Sequence, residues 1–242
     1  MRYLIGVSLV LIFTAGCGGS STSPTTPGAG GSSSGQTCRN YPTAYTAVTV
    51  SSASVATVTS SASYNASTFQ LTTPFTFADN QGTAYTAVFV FSYGSTADFV
   101  DEVSVIPPLT RWTGLSTTST GSFGTISSAQ TNSFDAQKRW TRNVSTTPGA
   151  ASLTTTYTAW DSAGRPTAGS LSTEAGLTTI AVSYNDGART QTQTSSTIGF
   201  PTSVGVTTYD ANGNLAQMVT TTNGTTVATT TATIRSTGRV CK

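Results

Sequence analysis

The chain has 242 residues, of which 36% are hydrophobic and only 8% charged, with a formal net charge of +2 and no histidine. Lacking histidine, it excludes Ser-His-Asp and Cys-His catalysis and every His-ligated metal site. Eleven Lys and Arg against nine Asp and Glu leave no basic excess of the kind that marks a nucleic-acid-binding protein.

The chain begins Met1-Arg2, continues with a mostly apolar run from Leu4 to Phe13, and reaches Cys17 through Thr14-Ala15-Gly16. A basic start, about ten apolar residues and small residues before a cut are the pattern of an export signal. The run is too short for a spanning helix, which takes about 20 apolar residues. At these residues the segment resembles the signal and lipobox of bacterial lipoproteins, with Thr14 standing where that family usually carries Leu. The resemblance implies removal of residues 1–16, acylation of Cys17 and a membrane partner reached through the N-terminal lipid. It also implies a place in the cell envelope and, with Gly18 after the cysteine, in the outer membrane of a Gram-negative host. The other reading is an ordinary secretory signal that leaves Cys17 as a stray thiol.

Residues 17–37 read as a linker. From Gly18 to Thr37 they are almost entirely Gly, Ser, Thr, Pro and Ala, without charge or aromatic side chain. Such a stretch buries too little apolar surface to offset its ordering entropy, so a disordered tether is expected, with ends roughly 25 Å apart as a random coil. The body, 38–242, is long enough for a real core. Its two cysteines, Cys38 and Cys241, sit at its two ends. With Cys17 acylated the remaining count is even, and export implies an oxidising compartment, so a Cys38–Cys241 disulfide is expected. Two unpaired terminal thiols are the alternative.

The body is rich in Thr, Ser, Val, Ala, Gly and aromatics and poor in Lys, Glu and Leu, and its hydrophobic pattern alternates with period two. An all-β fold follows. Phe69, Leu71, Thr73, Phe75 and Phe77 form one row, and Tyr85, Ala87, Phe89, Phe91 and Tyr93 form another, joined through Asp79-Asn80-Gln81-Gly82. These rows read as a hairpin with one buried face, contributing on the order of 10 kcal/mol before chain entropy is counted. Pro74 removes a ladder donor and predicts an edge or a bulge.

Further on, an aromatic–Asx unit repeats about every 25 residues. It begins with Phe134-Asp135, recurs at Trp160-Asp161 with Gly164 and Arg165, at Tyr184-Asn185 with Arg189, and at Tyr209-Asp210 with Gly213. An aromatic that ends a strand, an Asx that hydrogen-bonds the following backbone and a Gly at positive φ together make a turn. Other turn signals fall between the units, at Pro148-Gly149, Glu174-Ala175-Gly176, Gly199-Phe200-Pro201 and Asn223-Gly224. The expected architecture is an antiparallel meander of repeated hairpins, forming a twisted sheet or a barrel-like body. Residues 127–235 resemble the YD-repeat (RHS-repeat) family of bacterial surface and secreted proteins. Tyr209-Asp210-Ala211-Asn212-Gly213-Asn214 is the nearest copy, although Asn214 replaces the expected Arg. The resemblance implies strand–turn–strand architecture; four degenerate units do not carry over that family's shell around a cargo. Pro107-Pro108 is a seam if residues 38–126 form a separate domain; one continuous sheet or a closed barrel-like body is the preferred reading, because the terminal disulfide would bring both ends together.

Candidate sites are few. Asp98, Asp101 and Glu102 form the acidic cluster, and Asp98 and Glu102 would share a strand face; paired carboxylates hydrolyse glycosides when held at the right spacing. Asp135, Asp161, Asp186 and Asp210 read as turn caps rather than calcium ligands. Arg139, Arg165 and Arg189 recur in register and are expected to pair with turn aspartates on neighbouring repeats. Trp112, Trp140 and Trp160 would offer platforms to a sugar ring or serve as sheet anchors. The rows Thr154-Thr156-Thr158, Thr190-Thr192-Thr194 and Thr229-Thr231-Thr233 resemble the hydroxyl arrays of ice-binding solenoids. No catalytic residue, metal or cofactor is implied. The expected function is a lipid-anchored envelope protein acting as a structural or interaction module, its partner another envelope protein or a glycan. The alternative is a glycan-binding or glycan-hydrolysing surface protein.

Overall fold

The structure, a computed structural model, describes residues 37–101, 111–174, 176–211 and 213–242. Cys17 and the rest of the N-terminal segment, together with Glu102 and Pro107-Pro108, lie outside the described residues, as does the side chain of Asp101.

The described residues of the body form fifteen strands and one short helix: β1 (Cys38–Ser51), β2 (Val55–Ser61), β3 (Ser63–Asn65), β4 (Gln70–Asp79), β5 (Ala84–Ser92), α1 (Thr96–Asp101), β6 (Gly114–Gly121), β7 (Gly124–Phe134), β8 (Trp140–Thr146), β9 (Leu153–Trp160), β10 (Pro166–Thr173), β11 (Gly176–Asn185), β12 (Thr190–Thr197), β13 (Ser203–Tyr209), β14 (Leu215–Thr222) and β15 (Thr225–Cys241). From β4 to β15 each strand pairs antiparallel with the next in sequence. β1 pairs with β15 on one side and β2 on the other, and β2 pairs with β4. Fourteen strands therefore close into an up-and-down barrel, with β3 as an outlier on β4. Closure leaves the ring without a free edge, which an open sheet of this length would have to protect by other means.

All ladders being antiparallel, the connections alternate between two rims. The near rim is where the chain enters and leaves. It carries Cys38 and Cys241, the Asn65 turn, α1 and the turns at Asp135, Asp161, Asp186 and Asp210. The opposite, far rim carries the connections 52–54, 80–83, 122–123, 147–152, 198–202 and 223–224, together with Glu174. Cys38 and Cys241 are direct cross-strand partners joined by a disulfide. The expected pairing is thus present, and the first and last strands are covalently locked side by side.

The predicted aromatic rows are the inward faces of β4 and β5. Leu71 faces Phe91, Thr73 faces Phe89, Phe75 faces Ala87 and Phe77 faces Tyr85. Ring stacking adds to the area buried: Phe75 lies 4.8 Å from Phe89 and Phe77 4.7 Å from Tyr85, centroid to centroid. Pro74 is neither on an edge nor in a bulge. Its flank faces the break at Ala62 between β2 and β3, since Ser60 pairs with Phe75 and Ser63 with Thr72. The missing donor therefore costs no ladder bond, and Ser60 donates its hydroxyl to the Pro74 carbonyl at 2.9 Å.

One element differs from the all-β expectation locally. Asp98 lies on α1 rather than on a strand, so it shares no strand face with Glu102. Ser95 caps the helix: the Asp98 N–H donates to Ser95 Oγ at 3.0 Å, and that hydroxyl donates back to Asp98 Oδ2 at 2.8 Å. The helix drives Phe99 and Val100 under the near rim, where they join Tyr41, Tyr93, Trp112 and Leu115 in the main core. Arg39 is fully buried there, donating to the Phe99 carbonyl at 2.7 Å with its guanidinium 4.3 Å from the Phe99 ring.

Packing is not uniform around the ring. In β4 and β5 buried and exposed positions alternate, whereas in β12 and β13 both faces are half-exposed over most of their length. A Cβ placed on Gly205, an inward position, would meet nothing within 4 Å. One sector of the interior is thus filled with aromatics, while the opposite sector is open and lined by amides and hydroxyls such as Gln193, Ser195 and Thr207.

Candidate functional site

The four aromatic–Asx turns stand consecutively along the near rim, and three share one hydrogen-bond pattern. In the first, Asp135 Oδ1 accepts from the N–H groups of Gln137 and Arg139 at 3.0 and 2.9 Å, and Lys138 N–H donates to the Asp135 carbonyl. Asp161 repeats this with Ala163, Arg165 and Gly164, and Asp210 with Asn214 and Gly213. The fourth residue of the turn takes positive φ: Lys138 at 59°, Gly164 at 80° and Gly213 at 79°. Lys138 holds a conformation that glycine adopts at no steric cost. At the far rim Asp79 makes the same turn with Gln81, Thr83 and Gly82, so the geometric family extends beyond residues 127–235.

The third unit departs from the expected form. Asn185 is the last residue of β11, paired with Thr190, and the turn proper is Asp186 to Arg189. Positive φ falls on Arg189 at 53° rather than on Gly187. Asn185 Oδ1 accepts only from Ala188 N–H. The Asn65–Phe69 connection repeats this second form, with Phe69 at φ 53°.

Arg139 and Arg165 link the turns. Each bonds first to its own turn aspartate, with Nε 2.6 Å from Asp135 Oδ2 and from Asp161 Oδ2 respectively. Each then lies over the aromatic that opens the next turn: Arg139 is 4.5 Å from the Trp160 ring and Arg165 is 4.3 Å from the Tyr184 ring. Arg165 also forks onto Asp186 of the neighbouring turn, at 2.6 and 3.3 Å. Pairing across repeats is therefore realised by Arg165 alone, while Arg139 pairs within its own turn and stacks across. Arg189 does not extend the stripe: it is exposed, and its carbonyl accepts from Tyr209 N–H. At the end of the series Asn214 replaces arginine and folds its amide back onto Asp210.

The carboxylates respond to these partners. Desolvation pushes Asp135 upward, but the backbone and guanidinium of Arg139 and the Gln137 N–H outweigh it and hold the group below the usual carboxylate range. The Arg165 guanidinium lowers Asp186. Burial pushes the Tyr157, Tyr184 and Tyr209 phenols well above their ordinary value. As arranged, the Asp135 carboxylate is an acceptor for its own turn, and the Asp186 carboxylate is an acceptor for Arg165 of the neighbouring turn. Among the described residues no three metal-ligating side chains come together.

The remaining sequence candidates separate. Asp98 is engaged by Ser95 and by Lys138 at 3.2 Å. Trp112 is buried in the main core. Trp140 donates its indole N–H to Asn132 Oδ1 at 2.9 Å, and Trp160 donates to the Trp140 carbonyl at 3.0 Å beneath Arg139. They serve as anchors of the rim. The threonine rows lie on β9, β12 and β15, which are not neighbours, and so do not merge into one flat array. Sequence reasoning missed the buried amide cluster of Gln130, Asn132 and Asn143, and missed Arg39. Only α1 had a usable signal, the Ser95-x-x-Asp98 capping pattern.

Fold and rim together define the molecule as a closed up-and-down β-barrel with a laddered aromatic–Asx rim. No protein-family model, curated protein or solved structure matches the chain.

Proposed function

We propose that this is a lipid-anchored protein of the cell envelope, acting as a structural or interaction module without catalytic activity. The observation that carries the reading is the mutual engagement of the turn charges: Asp135, Asp161 and Asp186 are taken up by Arg139 and Arg165, as a scaffold requires and a reactive site does not. The chain enters the barrel at this same rim, beside the disulfide, so a lipid on Cys17 would tether the barrel through its locked end, and about 20 linker residues, spanning up to roughly 66 Å when extended, leave either rim able to face the bilayer. The Gly/Ser/Thr/Pro stretch would be the tether between them. The degenerate YD-type units would be a way of building hairpins here rather than a shell around a cargo.

Lipidation is tested by feeding an alkyne-tagged palmitate to a bacterial host expressing the full chain. Label on the wild type that is absent from Cys17→Ala supports the anchor, and a mature chain with an unmodified Cys17 thiol overturns it.

A glycan-binding role has one specific observation in its favour, the open interior sector lined by Gln193, Ser195 and Thr207, whose amide and hydroxyl groups match those of a sugar. Binding on a glycan array that Gln193→Ala abolishes would support it.

A further inference from the structure

The far rim differs from the rest of the surface in its exposed side chains. Among the described residues, every exposed large apolar side chain except Val88 lies within three residues of a far-rim turn. Ile198 is 97% exposed and Phe200 61%; Phe123 stands on another far-rim connection, and Leu177, Val50 and Val55 stand at the far-rim ends of β11, β1 and β2. Charge is distributed in the opposite sense. Eight of the ten described cations sit at the near rim, and the other two, Arg142 and Arg235, lie on the wall. Among the described residues the charges at the far rim are Glu174 and Asp79, the last residue of β4, and the Asp79 carboxylate is committed to its own turn. Ser, Thr, Asn and Gly make up most of what remains.

We propose that the far rim docks onto the surface of a lipid bilayer, lowering its apolar loop tips below the headgroups. The apolar side chains sit on separate loops around a ring rather than in one groove. A flat, yielding surface engages such a crown at every tip, whereas a folded partner would need a matching pocket for each. No cation has to be desolvated as the tips enter, and the flanking hydroxyls suit the headgroup layer. With two carboxylates and no cation at this rim, the fitting surface is zwitterionic rather than anionic. The described residues that flank 1–36 and 102–110, namely Thr37, Asp101 and Arg111, lie at the other end of the barrel.

The test uses oxidised chain 18–242, which lacks the acylation site and contains the whole ring, every strand of which is paired on both sides within 38–242. Sedimentation with phosphatidylcholine vesicles should carry the protein down. Partitioning should persist in 1 M NaCl and should not rise when phosphatidylglycerol is added. Ile198→Ser with Phe200→Ser, both on exposed side chains, should keep the wild-type melting temperature and weaken partitioning at least about tenfold. Phe200→Trp should shift its emission to the blue on vesicles and be quenched by brominated lipid. Absence of sedimentation overturns the proposal, as does binding that survives the double serine variant. Binding lost in salt, or in Arg189→Gln at the near rim, would overturn it in favour of an electrostatic near-rim contact. A dimer in sedimentation equilibrium that the serine variant dissolves would assign the crown to a second copy of the chain instead.

Discussion

The guanidinium of Arg165 lies 4.3 Å from the centroid of the Tyr184 ring while its nitrogens bond both Asp161 and Asp186. One side chain thus joins two consecutive turns through contacts to three residues, and it is nearly buried in doing so. Arg165→Ala should destabilise the barrel by about 2 kcal/mol, because it removes charge-assisted bonds together with a cation–π contact. Arg165→Lys should recover less than half of that, since an ammonium has no planar fork to reach two carboxylates at once. Urea unfolding of the three proteins measures both. Equal stability of the Lys variant and wild type would mean that a point charge, not the fork, is what the rim uses.

The disulfide closes a loop spanning 203 residues in sequence, so in the chain-entropy account it removes a large part of the unfolded ensemble. Reduction, or the Cys38→Ser/Cys241→Ser pair, should lower stability by up to about 5 kcal/mol. The effect should appear first as exchange of amide hydrogens in β1 and β15, whose ladder the bond pins at its end. Hydrogen exchange with and without reductant is the measurement; equal protection of those two strands in both states would show that the ladder alone holds the seam.

Where the signal was local, the sequence could be read directly. The β4–β5 hairpin and the far-rim turns at Pro148-Gly149 and Asn223-Gly224 follow from alternation and from residues that tolerate positive φ; Asn223 and Gly224 take φ 48° and 78°. Ring closure is a long-range fact, and only the cysteines at the two ends of the body hinted at it. The amides of Gln130, Asn132 and Asn143 were invisible because a polar residue on an alternating strand looks like a solvent-facing one. In the third repeat unit a one-residue shift moved the turn from Asn185 to Asp186, although the spelling Tyr-Asn-Asp-Gly suggested the common form. Local propensity does not distinguish which of two adjacent Asx residues begins a turn; pairing across the ladder does.

Stability should depend on pH at both extremes. Asp135 and Asp186 have folded values below the ordinary 3.8, so the unfolded chain takes up their protons first. Their contribution is complete above about pH 5 and is lost as the pH falls through 3.8 and on through the lower folded values. Tyr157, Tyr184 and Tyr209 have folded values above the ordinary 10.0, so the unfolded chain releases their protons first and stability falls as the pH rises past that value. The melting temperature should therefore be level from about pH 5 to 9 and drop on either side. Asp135→Asn should flatten part of the acid limb, and an acid limb unchanged by it would show that the Arg139 contact does not favour the ionised form. Absorbance at 295 nm during alkaline titration should show some phenols ionising only with unfolding.

Asn143 occupies the centre of the inward amide cluster. Its Nδ2 donates to Asn132 Oδ1 at 2.9 Å and to Gln130 Oε1 at 3.4 Å, while Asn132 Oδ1 also accepts from the Trp140 indole and Asn132 Nδ2 donates to the Trp112 carbonyl. Asn143→Ala therefore strips donors from two buried oxygens, and it should cost about 2 kcal/mol, more than the roughly 1 kcal/mol of an average hydrogen bond. The position also tells how the two halves of the interior meet, because Asn132 connects through Trp112 to the aromatic core on one side and through Trp140 to the rim ladder on the other. If the cluster couples them, Asn143→Ala combined with Arg165→Ala will fall short of additivity or exceed it by more than about 0.5 kcal/mol. Simple addition of the two losses would show that the core and the laddered rim are stabilised independently, and that the barrel is held by its ring of ladders rather than by communication across its lumen.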